Sequence, residues 1–115
     1  MKALTITPDG TITELAFTEG NSLAELQDAV GGYIEVLSLN ERTAMVINEE
    51  GKIYGLPAND IATRLTQHYA IGLDPRDQIN GTAVLISQTR TRETTDVPSD
   101  AEDVLTRLGF RTQKE

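Results

Sequence analysis

The chain contains no cysteine and no tryptophan, one histidine, and only five Phe or Tyr residues. Each scarcity removes a class of protein. Without cysteine there are no disulfides, no thiolate metal sites and no cysteine nucleophile, which fits a reducing cytoplasm. Basic residues are also short: 10 Lys and Arg stand against 18 Asp and Glu, a formal net charge of −8. Direct nucleic-acid binding depends on Lys and Arg displacing phosphate counterions, so this charge argues against it. No apolar run approaches the length of a membrane span, and the first residues, MKALTITPDG, lack the apolar core of a signal peptide. The expectation is a soluble cytoplasmic protein with no membrane partner.

What is present fits one compact α+β domain with a core of Leu, Ile, Val and Ala. Lys2 to Thr7 and Thr11 to Phe17 read as strands joined at Pro8-Asp9-Gly10, where proline presets φ and glycine accepts a positive φ. Ser22-Leu23-Ala24-Glu25 is a capping-box pattern. Leu23, Leu26 and Val30 follow at helical spacing, and Gly31 supplies a left-handed stop. Tyr33 to Leu39 is β-rich and open to burial on both faces, with Glu35 needing an outlet. Asn40-Glu41-Arg42 turns the chain into a partner strand, Thr43 to Asn48. After a tight turn at Glu49 to Lys52 and a short extended piece at Ile53-Tyr54-Gly55, Asn59 caps a helix from Asp60 to Tyr69. Ile61, Leu65 and Tyr69 share one face of that helix. Ala70 to Arg76 connects to a further strand within Gln78 to Gln88, where Gly81 permits a bulge or close approach.

Residues 89–98 are polar and aperiodic and read as a linker. Ser99-Asp100-Ala101-Glu102 is a second capping box, opening an amphipathic helix over 99–109 that either docks on the domain or stands apart as an appendage. The organisation expected is a domain over 1–88, a linker over 89–98 and a C-terminal helix. The element order is β-β-α-β-β-(β)-α-β-α, with a mostly antiparallel sheet of four to five strands and helices packed on one face.

Several segments together carry a likeness. Ile6 to Leu15 (ITPDGTITEL), Gly31-Gly32-Tyr33-Ile34-Glu35-Val36, Asn48-Glu49-Glu50-Gly51-Lys52, Gly55-Leu56-Pro57-Ala58-Asn59 and Asp77-Gln78-Ile79-Asn80-Gly81 resemble the domain-of-unknown-function family 3846. Its members are small proteins of phages, plasmids and actinobacterial genomes. The motifs are weak singly and specific as a set, and they span about the first 88 residues. The resemblance implies a mobile-element setting and brings no activity and no catalytic residues.

Chemistry-bearing residues are few. His68, the one histidine, lies in the last turn of the second helix, where the helix dipole is reason enough for it; base catalysis also requires an oriented partner and a nucleophile. Glu49 and Glu50 are adjacent, so a strand would send them to opposite faces and only a turn could bring them together. They fall short of the oxygen ligands a cation loop needs, and no metal or cofactor is expected. Gly31-Gly32 ends a helix and so presents the wrong dipole end to a phosphate. The expectation is therefore no enzymatic activity. The candidate binding residues are Asn48, Glu49, Glu50, Lys52, Tyr54 and Asn59, a mixture of donors, acceptors and one aromatic face near a helix start. The competing structural reading has the asparagines capping a turn and a helix.

Two functions fit. One is an accessory protein of a mobile element that binds a host or element-encoded protein through an acidic surface, with nucleic-acid mimicry as a special version. The other is a small polar-ligand or nucleotide-sequestering protein, with a pocket near Tyr54. Homo-oligomerisation is compatible with either.

Overall fold

A computed structural model describes residues 2–16, 22–40, 42–51, 53–69, 78–87, 104–110 and 112–113. In chain order the elements are β1 (Lys2–Ile6), β2 (Ile12–Ala16), α1 (Ser22–Val30), β3 (Ile34–Ser38), β4 (Thr43–Asn48), α2 (Asp60–Tyr69), β5 (Ala83–Ser87) and β6 (Thr112–Gln113). They build one α+β sheet in the order β3-β4-β5-β1-β2-β6. The first five strands pair antiparallel, and the two-residue β6 adds to β2 in parallel.

The turns follow from their residues. Gly10 N donates to Thr7 O at 3.0 Å and Thr7 N to Thr11 O at 2.9 Å, with Gly10 at φ +92°. This is a three-residue hairpin loop with glycine at the left-handed position. Asp9 secures it, accepting from the Thr7 hydroxyl and from Thr11 N. These bonds hold its carboxyl below the ordinary value of 3.8, the Thr7 hydroxyl contributing most. Between β3 and β4, Asn40 Oδ1 accepts from Arg42 N and Thr43 N, both at 2.8 Å, so the side chain closes the turn itself.

Two hairpins, β1-β2 and β3-β4, flank β5, which pairs with β1 on one side and β4 on the other. Leu85 faces both Leu4 and Met45, and Val84 faces both Thr5 and Val46. A strand with neighbours on both sides and apolar residues on both faces needs cover above and below. Leu4, Ile6, Ile12, Met45, Ala83 and Leu85 pack under Ile61, Ala62 and Leu65 of α2. On the opposite face Ala3, Val46 and Val84 pack under Leu26 and Val30 of α1. The expectation of helices on one face is thus corrected: α1 and α2 cover opposite faces, because the central strands alternate between two apolar sets and not between apolar and polar.

Two further expectations change. Strand β3 is an edge, with Glu35, Val36 and Ser38 exposed, whereas β4 is the strand buried on both faces. Position in the sheet, and not β-propensity, decides which strand is covered. Ile53-Tyr54-Gly55 is no strand but a helical turn. Tyr54 N donates to Glu50 O and Leu56 N to Gly51 O, both at 3.0 Å, and Gly55 closes the turn at φ +65°. The strand at Thr112–Gln113 was not expected; two residues carry no periodicity to read.

Residues 104–107 are helical, stopped at Gly109 (φ +93°). Val104 and Leu105 are buried in the α2-side core, so this segment docks on the domain, with Leu108 and Phe110 packed at its margin. Phe17, Lys52, the connector at 70–76, the polar stretch 89–98 and the capping box at 99–102 lie outside the described residues. Among the described residues no helix is long and apolar enough to cross a membrane.

Candidate functional site

The polar crest following β4 is built by Asn48. Its Nδ2 donates to Val30 O at 3.0 Å and its Oδ1 accepts from Glu50 N at 2.8 Å. One side chain, 6% exposed, therefore ties the end of α1 to the turn beyond β4. Gly32 makes room for it: a Cβ there would lie 3.0 Å from Asn48 Nδ2. Glu49 N donates to Tyr33 O at 2.9 Å and completes the joint. Gly51 fits against the strand-like segment before β5, where an added Cβ would meet Asn80 O at 2.7 Å.

The crest separates two concavities, and Asn48 walls both. On the α2 side of the sheet edge is a pocket of about 220 Å³ with an apolar floor of Leu37, Ile47, Ile53 and Ile79; Glu35 and Glu49 also line it. On the α1 side is an open groove of about 550 Å³, lined by Gln27, Asp28, Tyr33, Glu50 and Tyr54 with the glycine pair Gly31-Gly32. Glu49 and Glu50 sit in a turn, yet they diverge, one to each concavity.

The groove has a definite electrostatic character. Asp28 and Glu50 are the charged side chains of its described lining. The last turn of α1 carries no basic residue. The negative end of its dipole, which Lys or Arg commonly offset, is here met by neutral donors, Asn48 Nδ2 on Val30 O and Gly31 N and Gly32 N on Gln27 O, and it borders the groove. Tyr33 and Tyr54 remain 70% and 69% exposed, the largest aromatic surfaces the described fold leaves to solvent. Tyr54 stands one helical turn beyond Glu50, which brings its hydroxyl onto that carboxylate. The hydrogen bond, aided by the nearby negative charge, raises the phenol above its ordinary value of 10.0.

The sequence-derived candidates are therefore dispersed. Glu50 and Tyr54 come together in the groove, Asn48 stands behind them, and Glu49 faces the opposite pocket. Lys52 is outside the described residues. Asn59 lines neither concavity. It is fully buried, with Nδ2 donating to Ile6 O and Gly81 O (both 2.9 Å) and Oδ1 accepting from Ala62 N (3.1 Å). It caps α2 and also stitches that helix to β1 and to the start of β5.

Asp28 and Tyr33 belong to the groove and were not among the candidates. The available signals were a helix end without a basic residue and an aromatic placed directly after a glycine pair, outside the strand proper. His68 is exposed on α2, edge-on to Tyr69 with ring centroids 5.3 Å apart. Among the described residues no group of three or more His, Cys, Asp or Glu could hold a metal ion.

Comparison with curated proteins and with solved structures finds no match in either set. The profile of the domain of unknown function DUF3846 matches residues 1–109 of the 115, extending the likeness from the motifs of the first 88 residues through the docked C-terminal helix. The chain belongs to this domain family, DUF3846, whose function is unknown.

Proposed function

We propose that the protein is a non-enzymatic accessory protein of a mobile element, cytoplasmic, and that it binds a protein partner through an acidic surface centred on the α1-side groove. The observation that carries this reading is the pairing of two exposed tyrosines with Asp28 and Glu50 at a helix end of negative dipole. Tyrosine provides contact area at low conformational cost and is enriched in protein interfaces. The carboxylates set the sign of the partner and hasten its approach. A nucleotide would bring phosphate charge to a groove whose described charged side chains are both carboxylates, which speaks against the sequestering alternative at this place. Mimicry of nucleic acid draws on the same net charge but has no need of the tyrosines.

The test is partner capture from host lysate at about 50 mM and 500 mM salt, a range across which surface electrostatics are strongly screened. The wild-type chain is compared with the double variant Asp28→Asn, Glu50→Gln. A partner held at low salt, released at high salt and lost by the double variant is the expected result. Capture that is indifferent to both changes, or no capture at all, would sink the proposal.

A further inference from the structure

We infer that the α1-side groove seats an arginine side chain from a basic segment of a partner protein, its guanidinium laid against the rings of Tyr33 and Tyr54 and paired with Asp28 and Glu50. This rests on the protein-binding reading above and names the chemistry the groove selects.

The lining argues for a cation first. Two carboxylates and the C-terminal end of α1 contribute negative potential from different elements, and no described cationic side chain shares the lining to neutralise them. The tyrosines then argue for a particular cation. A ring face attracts positive charge within about 6 Å of its centroid, and guanidinium is met there more often than ammonium. Guanidinium is planar, so it can lie on one ring while its edge donates to a carboxylate; ammonium is a compact, strongly hydrated charge that gives up more water for the same contact. Tyr54 N donates to Glu50 O, and both side chains line the groove, so the turn presents ring and carboxylate together. An open groove suits an extended side chain reaching in from a second surface, whereas an enclosed cavity would suit a free small molecule.

The protein already contains a smaller instance of the same contact. Arg64 pairs with Asp60 at 3.3 Å while its guanidinium carbon lies 5.9 Å from the ring centroid of Phe110. A carboxylate and an aromatic ring thus share one guanidinium on the far side of the sheet.

The experiment titrates the full chain, labelled with ¹⁵N and ¹³C, at about 50 mM salt so that the Debye length stays above 10 Å. Four probes are used: a capped Gly-Arg-Gly-Arg-Gly peptide, its lysine and citrulline counterparts, and spermidine as a free polyamine. The ring signals of Tyr33 and Tyr54 and the amides of Gly31 and Gly32 are followed. The arginine peptide is expected to bind about threefold or more tighter than the lysine peptide and about tenfold tighter than the citrulline peptide. Tyr33→Ala and Glu50→Gln are each expected to weaken it by about threefold, the scale of an exposed cation–π or ion-pair contact. Tyr33→Phe should keep most of the affinity, because the ring face and not the hydroxyl is the contact.

Equal binding of arginine and lysine peptides, or shifts spread over the acidic surface and unmoved by Tyr33→Ala, would overturn the inference. Spermidine binding tighter than either peptide would overturn it in favour of a free polyamine. Each of these results leaves the broader reading intact if lysate capture still depends on Asp28 and Glu50, so the two failures are distinguishable.

Discussion

Asn59 offers a sharp test of the fold, because its two roles respond differently to substitution. As the N-cap of α2 it accepts from Ala62 N through Oδ1; as a stitch it donates through Nδ2 to Ile6 O and Gly81 O. Asn59→Ala removes all three bonds. Losing the cap costs about 1 kcal/mol. Removing the shared donor from two carbonyls inside the fold adds about 1–2 kcal/mol for each. The sum is about 3–5 kcal/mol, a large share of the stability of a domain this size. Asn59→Asp keeps the cap and suits the helix dipole, so a residue acting only as a cap would tolerate it. The stitch would not, since a carboxylate oxygen would then face two carbonyl oxygens where a donor had been. The aspartate variant is therefore expected to lose about 3 kcal/mol or more at pH 7, set against those same unmet carbonyls. Burial raises the pKa of the introduced acid. A raised pKa means that stability is retained at low pH and lost as pH rises through the folded-state value, so the gap to wild type should narrow in acid. Urea unfolding followed by far-ultraviolet circular dichroism is the assay, the chain having no tryptophan for fluorescence. An aspartate variant within about 0.5 kcal/mol of wild type at pH 7 would refute the stitch, since so small a loss is what a surface change costs.

Two further outcomes are expected. Gly51→Ala places a Cβ 2.7 Å from the backbone oxygen of Asn80, which cannot swing away as a side-chain tip would, so a loss of about 1–3 kcal/mol should appear in the same urea assay. Asp9 has a lowered carboxyl value, so its contribution is present above the ordinary 3.8 and disappears as pH falls through the folded-state value. A ¹³C titration should give a midpoint below 3.8 that moves upward in Thr7→Val, the Thr7 hydroxyl being the largest cause; an unmoved midpoint would count against that assignment.

Much of the fold was legible in particular residues. Pro8-Asp9-Gly10 announces the first hairpin, Gly31 ends α1, Asn40 closes the second hairpin and Asn59 starts α2, each through chemistry local to a few residues. What depended on the sheet order was not legible. β-propensity does not mark IEVLS as an edge or TAMVIN as a centre, since both are β-rich. The two-sided cover of the sheet was written in Thr43 to Ile47 and Ala83 to Ile86, whose apolar runs do not alternate with polar residues. The candidate site was half legible. Glu50 and Tyr54 are one helical turn apart, but Asp28 and Tyr33 reach them only because α1 ends against the crest through Asn48, a contact across 18 positions. Asn59 attracted attention for its polarity, although that polarity is directed entirely inward.

The place of β5 has a consequence for how the chain comes into being. Because β5 lies between β1 and β4, the first 82 residues can form two hairpins but no joined sheet. Until Ala83–Ser87 leaves the ribosome, Leu4 and Met45 lack the Leu85 that both of them face. The facing edges of β1 and β4 also keep unpaired backbone groups, a template for any other extended chain. The five residues that unite the domain are therefore also those that end its exposure during synthesis. A chain cut before them would leave two apolar hairpin edges open to aggregation.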